Sequence, residues 1–142
     1  PAWLLWHNFG QPRYDMRALL IFCVLMTVIP THAQDVFAPA KAAIRAGNSE
    51  ALGSQLNATV GVDINGKQAA YSKAQAEMIL RDFFRDNPPT DFSIIHNGAS
   101  QDGALQFAIG KYVSGKNNFS VLIRVKTAGK TRLVHDISFV KE

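Results

Sequence analysis

Beyond residue 33 the sequence contains no cysteine and no tryptophan, because Cys23, Trp3 and Trp6 all precede that point. The lack of cysteine excludes disulfides, thiol catalysis and cysteine-bound metals from residues 34–142. A phosphate-binding loop is excluded as well, since the glycines stand singly at predicted turn positions rather than in a glycine-rich motif. These absences leave a globular domain without a ready chemical signature.

Neither sign of charge is in large excess. Residues 34–142 keep 13 of the 15 basic residues and 10 of the 11 acidic ones, a net charge of +3. These charges are scattered along the chain and form no basic stripe, so we predict no nucleic-acid partner. The full chain has 142 residues, of which 47% are hydrophobic and 18% charged, and that length suits one globular domain.

The N-terminal region has the pattern of a secretory signal peptide, which we assign to residues 16–33. Met16 and Arg17 form a short basic start, and residues 18–29 are almost entirely apolar. Pro30 ends that stretch, and the small residues before position 34 predict cleavage after Ala33. A stretch of 12 residues is too short to span a bilayer, so we expect no stable membrane anchor after cleavage. The protein is therefore expected to be exported, either to the periplasm or out of the cell.

Residues 1–15 lie upstream of that methionine and do not begin with one. We interpret them as the result of a start site assigned too early, with Met16 as the initiator. The alternative is a genuine N-terminal extension that lengthens the buried segment. Residues 34–142 then form a single domain.

The clearest structural element is a helix within residues 71–89. Ser72 is a good N-cap, and Gln75 can complete a capping box three residues later. Pro88 ends the helix. One apolar face about 140° wide is predicted to contact a sheet, and it consists of Ala76, Ile79, Leu80, Phe83 and Phe84.

Before this helix the sequence predicts two shorter helices and a hairpin. A helix over residues 35–46 ends at Gly47, and a second begins at Asn48 or Ser49. The pair Asn65-Gly66 is typical of a type I′ turn, so residues 59–64 and 67–71 should form a β-hairpin.

After Pro89 the apolar residues alternate, as they do in strands with one buried face. Four such strands joined by short loops predict an antiparallel meander, and the element order ααββαββββ predicts an α+β fold. Tyr112 is out of phase with Ile109, which predicts a β-bulge at Gly110 and Lys111. The predicted inner faces are Phe92, Ile94 and His96; Leu105, Phe107 and Ile109; Phe119, Val121, Ile123 and Val125; Leu133, His135, Ile137 and Phe139.

The sequence resembles the exported bacterial family called domain of unknown function 4783, within the nuclear-transport-factor-2-like (cystatin-like) superfamily. The resemblance extends over residues 35–142 and is absent from residues 1–15. It implies a curved, cone-like sheet with helices packed on one side, and export, but no assigned activity. The matching residues are YSKAQAEMIL, FF and NPP in the helix region, then His96-Asn97-Gly98, Asp102-Gly103, Ile109-Gly110 and the terminal stretch from His135 to Phe139.

Four side chains are the candidates for lining a ligand site in the cone: His96, His135, Tyr112 and Phe107. Each histidine falls on an apolar stripe, so it either lines a pocket or packs as an ordinary strand residue. A metal shared by His96 and His135 is not expected, because three strand spacings separate them by roughly 15–20 Å. We predict no metal site and no cofactor.

Two functions of different classes fit this sequence. The first is non-enzymatic binding, in the cone, of a small apolar or amphipathic ligand or of a protein partner. The alternative is a small isomerase- or dehydratase-type enzyme that uses acid–base residues of the same cone, for which Asp63, Tyr71, Tyr112 and Asp136 come into question. An enzyme needs two ionisable groups that converge on one substrate, whereas a binder needs an apolar cavity with a polar anchor.

The outer face of the sheet is predicted to carry Lys111, Arg124, Lys126 and Arg132. Such charges are typical of a solvated face, and an anionic partner such as a polysaccharide or lipid headgroup is the alternative. Ile95, Leu122 and Val134 are predicted on the same face, so a homodimer interface there is another alternative.

The predicted signal peptide can be tested directly. The exported protein is expected to begin at Gln34 or Asp35 and to lack tryptophan fluorescence, because both tryptophans precede the cleavage site. N-terminal sequencing of the mature protein checks this, and a mature chain that begins at Pro1 or Met16 would contradict it.

Overall fold

The computed structural model describes residues 34–142, so the predicted signal peptide and the segment before it lie outside the described residues. Within this range the chain forms three helices and six strands in the predicted order ααββαββββ, which confirms the α+β fold. The elements are α1 (Ala38–Ala46), α2 (Ser49–Gly53), β1 (Leu56–Ile64), β2 (Lys67–Ser72), α3 (Lys73–Asp86), β3 (Asp91–Ala99), β4 (Leu105–Ser114), β5 (Asn117–Ala128) and β6 (Thr131–Lys141).

Both predicted short helices are present, although the first begins at Ala38 and not at residue 35. Gly47 closes α1 in the left-handed conformation, with φ of 63°, and its backbone N–H donates to the carbonyls of the last turn. The side chain of Asn48 caps α2 by accepting a hydrogen bond from the N–H of Ala51 at 3.0 Å. Between residues 34 and 142 no helix combines the length and the apolar character needed to cross a membrane.

Helix α3 has the predicted capping box. The N–H of Gln75 donates to the Ser72 hydroxyl at 3.3 Å, and the N–H of Ser72 donates to the Gln75 side chain at 3.2 Å. At the other end the N–H of Asn87 donates to the Phe83 carbonyl, and Pro88 prevents a further turn. The helix buries Ala76, Leu80, Phe83 and Phe84, which confirms the predicted apolar face.

The six strands form one curved, open sheet in the order β2-β1-β6-β5-β4-β3. Strands β3 to β6 pair antiparallel in sequence, which confirms the meander. The hairpin β1–β2 turns at Asn65 and Gly66, whose φ values of 54° and 87° fit the predicted type I′ turn. Strand β1 joins the meander by pairing parallel with β6, a contact that the sequence analysis did not predict.

The predicted bulge in β4 is wrong. Strand β4 pairs with β5 without interruption, and the register shift lies in β3, between Ile94 and His96. Tyr112 and Ala108 are buried, so they lie on the core face of β4, and Phe107 and Ile109 lie on the opposite face. Gly110 lies on the same core face, and the Phe92 ring covers it. A Cβ atom at this position would lie 2.5 Å from Phe92 Cε2, so a larger residue would collide with the ring.

A second register shift, in β6, corrects the predicted inner face of that strand. Val134 and Ile137 are both buried, although they are three residues apart, and His135 is the additional residue between them. A bulge places two residues opposite one partner and so reverses the alternation beyond it. Leu133 and His135 therefore do not continue the buried row of Ile137 and Phe139. Val134, predicted on the outer face, is part of the core instead.

An aromatic cluster joins α3 to the concave face of the sheet. The Phe83 ring lies 4.4 Å from Phe139, 5.2 Å from Phe119 and 5.6 Å from Tyr112, measured between ring centroids. Edge-to-face and tilted contacts at such distances are favourable beyond the burial of apolar area. Phe83 therefore holds the helix against strands β4, β5 and β6 at once.

Tyr112 is the polar member of this cluster. Its hydroxyl donates a hydrogen bond to the Asn87 carbonyl, at the end of α3, while its ring is fully buried. Burial raises the pKa of Tyr112 above its usual value, because the charged phenolate would lose its hydration in the core.

Replacing Phe83 tests the role of the helix contact. Phe83→Ala should lower the free energy of unfolding by about 3–5 kcal/mol, because it leaves a cavity between helix and sheet. The control is Arg81→Ala on the exposed face of α3, where the ion pair with Glu77 spans 3.6 Å and should contribute less than about 1 kcal/mol. Denaturant titration measures both, and equal losses would contradict the assignment of the buried face.

The buried Tyr112 hydroxyl predicts a loss of stability in alkali. The pKa of tyrosine in an unfolded chain is about 10, and the pKa of Tyr112 in the folded protein is higher. The stabilising effect of the neutral Tyr112 is therefore fully present below about pH 10. Above that pH the unfolded chain releases this proton while the folded chain keeps it, so the free energy of unfolding falls by about 1.4 kcal/mol per pH unit.

Tyr112→Phe is the matched variant for that measurement, since it keeps the ring and removes the ionisable group. The stability difference between wild type and variant should narrow as pH rises from about 9 to 11, because only the wild type gains a proton-release step on unfolding. A difference that stays constant over this range would contradict the raised pKa.

Candidate functional site

The four predicted ligand-lining residues lie on two opposite faces of the sheet. Tyr112 is buried on the concave face, under α3. Phe107 is five residues earlier in the same strand and faces the other way, because it alternates with the buried Ala108. His96 is the register partner of Ile109 and shares the outer face with Phe107. The structure therefore brings His96 and Phe107 together and separates both from Tyr112.

His96 and Phe107 form an aromatic contact at the edge of the sheet. Their ring centroids lie 5.9 Å apart, and His96 is exposed. Gly98 makes room for this arrangement, because a Cβ atom there would lie only 2.7 Å from the Phe107 ring. The contact is a surface feature and does not line the cone.

His135 occupies the bulge of β6 and is half-buried. Strands β4 and β5 separate its strand from that of His96, in agreement with the predicted three strand spacings. Within residues 34–142 no three side chains of histidine, cysteine, aspartate or glutamate are grouped so that they could hold a metal ion.

The concave face of the sheet is occupied by side chains where a ligand cavity was expected. Phe84, Tyr112 and Phe139 lie within 6.3 Å of one another, measured between ring centroids, and Phe83 lies against all three. Phe84 and Phe139 were predicted in the core and Tyr112 in the lining of a ligand site, whereas all three pack together with Phe83. One polar atom, Gln106 Oε1, is buried there without a hydrogen-bond partner among the described residues.

The ionisable residues considered for acid–base chemistry are engaged in local structure. Asp63 accepts a hydrogen bond from the N–H of Gly66 at 2.7 Å and so stabilises the β1–β2 turn. Asp136 lies over Gly61, where a Cβ atom would collide with its carboxylate.

Hydrogen bonds from the Ser100 hydroxyl and the Ala104 N–H lower the pKa of Asp102, which lies in the exposed β3–β4 turn.

The outer face of the sheet carries a continuous apolar surface, which we call the outer patch. It crosses strands β3, β4 and β5, where Ile109 is the register partner of Leu122. Ile95 and Leu105 are its most exposed members, at 68% and 42%. The bulge in β3 accounts for Ile95, since the additional residue of a bulge is left outside the regular pairing. The outer patch consists of Ile95, Leu105, Phe107, Ile109 and Leu122.

Charged residues border this patch. Arg124 is the register partner of both Phe107 and Asp136, and Lys126 is the partner of Leu105. Lys111, Arg124 and Lys126 are exposed on the outer face, as predicted. The prediction for Arg132 is wrong: it is the register partner of Thr127 and lies two residues before the buried Val134, so it is on the opposite face. The outer face thus has an apolar centre and a border that contains both signs of charge.

A second surface, which the sequence analysis missed, is a groove between α3 and the β1–β2 hairpin. It consists of two adjoining depressions of about 400 and 280 Å³ that share Ile79 and Asp82, and we call it the helix groove. The alanines of β2 are the signal that could have indicated it, because small side chains beside a helix leave space. The lining residues are Ile64, Asn65, Tyr71, Gln75, Met78, Ile79, Asp82, Phe83, Asp86 and Asn87.

Solved structures with this fold are numerous. The chain is 25% identical to a DUF4783 family protein from Bacteroides uniformis, with a TM-score of 0.68 over 73% of this chain and 94% of that one. It is 26% identical to a second such protein from Bacteroides ovatus, with a TM-score of 0.69 over 74% and 94%. An NTF2-like protein of unknown function from Silicibacter pomeroyi shares 12% identity, with a TM-score of 0.56 over 75% and 90%, and supports the fold alone.

A search of curated proteins finds no match to this chain. The model of a domain of unknown function, DUF4783, matches residues 37–139, which include all the helices and nearly all of the sheet. The curved sheet and the helix order agree with both the family structures and the NTF2-like neighbour. The chain therefore belongs to the DUF4783 family and has an NTF2-like fold.

Proposed function

We propose that this protein is an exported, non-enzymatic binding domain that uses the outer patch as its contact surface, and that its partner there is a second copy of the same chain. The observation that carries the proposal is the exposure of Ile95 and Leu105 within a continuous apolar surface. Exposed apolar surface of this kind is typical of a protein contact site. The export part of the proposal rests on the sequence of residues 16–33.

The filled concave face favours the outer surface as the place of binding. Phe83 and Tyr112 occupy the space in which a ligand of the cone would lie, and the Tyr112 hydroxyl is already bonded to Asn87. Acid–base catalysis in the cone would require two ionisable groups within reach of one substrate. Tyr112 and Asp102 are the described residues with a shifted pKa, and they lie in the core and in an exposed turn respectively.

The size of the outer face suits a second copy. Strands β3 to β6 have between 9 and 12 residues, so they are roughly 30–40 Å long and about 4.8 Å apart. Four such strands present roughly 600 Å² per copy, and two copies together would bury roughly 1,200 Å², the lower end of the range for specific interfaces.

The charges of the outer face are compatible with pairing to itself. A two-fold symmetric interface brings the same surface of both copies together, so that surface must complement itself. Arg124 and Asp136 are neighbours across β5 and β6, and each can therefore face the opposite charge of the other copy. The apolar members of the patch would meet at the centre, where burial contributes most.

The oligomeric state of untagged, purified protein tests the proposal. The wild type should sediment as a dimer at micromolar concentration, and Leu122→Lys should raise the dimer Kd by about 100-fold or more, because it buries an unpaired charge at the centre of the patch. Circular dichroism verifies that the variant remains folded.

Met78→Lys is the matched control, since Met78 is also exposed, at 59%, but lies on α3 outside the patch. This variant should remain dimeric. A monomeric wild type at about 100 µM, or equal dissociation of both variants, would contradict an interface at the outer patch.

A further inference from the structure

We propose that the helix groove binds a small organic cation with a hydrocarbon body, such as an alkyl- or arylammonium compound. The groove lies on the opposite side of the sheet from the outer patch, so this site does not depend on the function proposed above. The groove has three features that suit such a ligand: open space, an apolar floor and two carboxylates.

The space lies between α3 and the hairpin that β1 forms with the edge strand β2. Ala69 is the register partner of the buried Val62 and so faces the helix side of the sheet, yet Ala69 itself is exposed. Helix α3 therefore leaves this part of the concave face uncovered. The two adjoining depressions, of about 400 and 280 Å³, are in the size range of small-molecule sites.

The floor and walls of the groove are mainly apolar. Ile79 lines both depressions, Ile64 and Phe83 line the larger one, and Tyr71 and Met78 line the smaller one. Met78 is 59% exposed, although its side chain is apolar. A flexible methionine and a half-buried isoleucine are suited to contact a hydrocarbon chain of variable shape.

The polar groups of the groove favour a cation. Asp82 and Asp86 lie one helical turn apart and both line the larger depression, and Asp82 also lines the smaller one with Tyr71. None of the residues that line the groove within the described part of the chain is a lysine, an arginine or a histidine. An aromatic ring such as that of Tyr71 also attracts a cation over its face.

Arg85 reduces this negative charge but does not cancel it. The guanidinium lies 3.3 Å from one oxygen of Asp82 and 3.3 Å from one oxygen of Asp86. One arginine against two carboxylates leaves a net charge of −1 and the second oxygen of each aspartate. Asn65 and Asn87 are already engaged, since the side chain of Asn65 accepts from the N–H of Lys141 and that of Asn87 donates to the Phe83 carbonyl. The carboxylates of Asp82 and Asp86 are the charged groups of the groove lining that can anchor a ligand.

A matched series of eight-carbon probes tests the charge preference. Octylammonium, octanol and octanoate are titrated into untagged, ¹⁵N-labelled protein, and amide shifts report both the affinity and the location. Octylammonium should bind at Tyr71, Met78 and Ile79, about 10-fold more tightly than octanoate, with octanol between them, because two exposed carboxylates favour the cation only moderately. Added salt should reduce the difference between the charged probes.

Variants then assign the preference to its residues. The double variant Asp82→Asn/Asp86→Asn should lower the affinity for octylammonium about 5- to 10-fold, to that of octanol, and leave octanol binding unchanged. Asp91→Asn is the control, because Asp91 is an exposed carboxylate at the start of β3, 3.8 Å from Arg45 and outside the groove. Leu122→Lys should also leave octylammonium binding unchanged, so that this result is independent of the outer patch.

Three results would overturn the proposal. Octanoate could bind as tightly as octylammonium; the double asparagine variant could retain the full affinity for the cation; or the amide shifts could be confined to Ile95 and Leu105 on the outer face. Each would show that the carboxylates of the helix groove do not select the ligand.

Discussion

The structure depends on the contact of Phe83 with the concave face of the sheet. This ring touches aromatic side chains of β4, β5 and β6, so a single residue of α3 fixes the helix against three strands. The consequence reaches beyond stability, because the same contact fills the cone that NTF2-like folds enclose. Phe83, Phe84 and Tyr112 occupy the interior, and the two surfaces that we propose for binding, the outer patch and the helix groove, both lie outside this cluster.

The local elements of this fold could be predicted because each has its signal within a few residues. The capping box of Ser72 and Gln75, the left-handed Gly47 and the Asn65-Gly66 turn all depend on neighbours in sequence. The element order and the antiparallel meander follow from the spacing of these signals. The pairing of β1 with β6 could not be predicted in this way, because it joins residues more than 70 positions apart.

The candidate site was harder to predict because the large apolar side chains at the start of β4 lie on its outer face, and smaller residues occupy its core face. Strict alternation placed Leu105, Phe107 and Ile109 in the core, whereas the core face of β4 contains Ala108 and Tyr112. Small residues such as Ala108 and Gly110 are weak hydrophobic signals, yet Gly110 leaves room for the Phe92 ring. The helix groove was not predicted because its lining residues come from α3 and the β1–β2 hairpin, and sequence patterns alone do not show which of them lie together.

The position of β6 also determines when the fold can be completed. This strand follows all the others in sequence and lies between β1 and β5, and the turn at Asn65 bonds to Phe139 and Lys141. The N-terminal hairpin therefore cannot join the sheet until the final strand has been synthesised, and contacts of such long range make folding slow. Until β6 is present, β1 and β5 each lack the neighbour that lies between them in the sheet. Strand β6 therefore joins two parts of the sheet, the β1–β2 hairpin and the strands β3 to β5, by pairing with one strand of each.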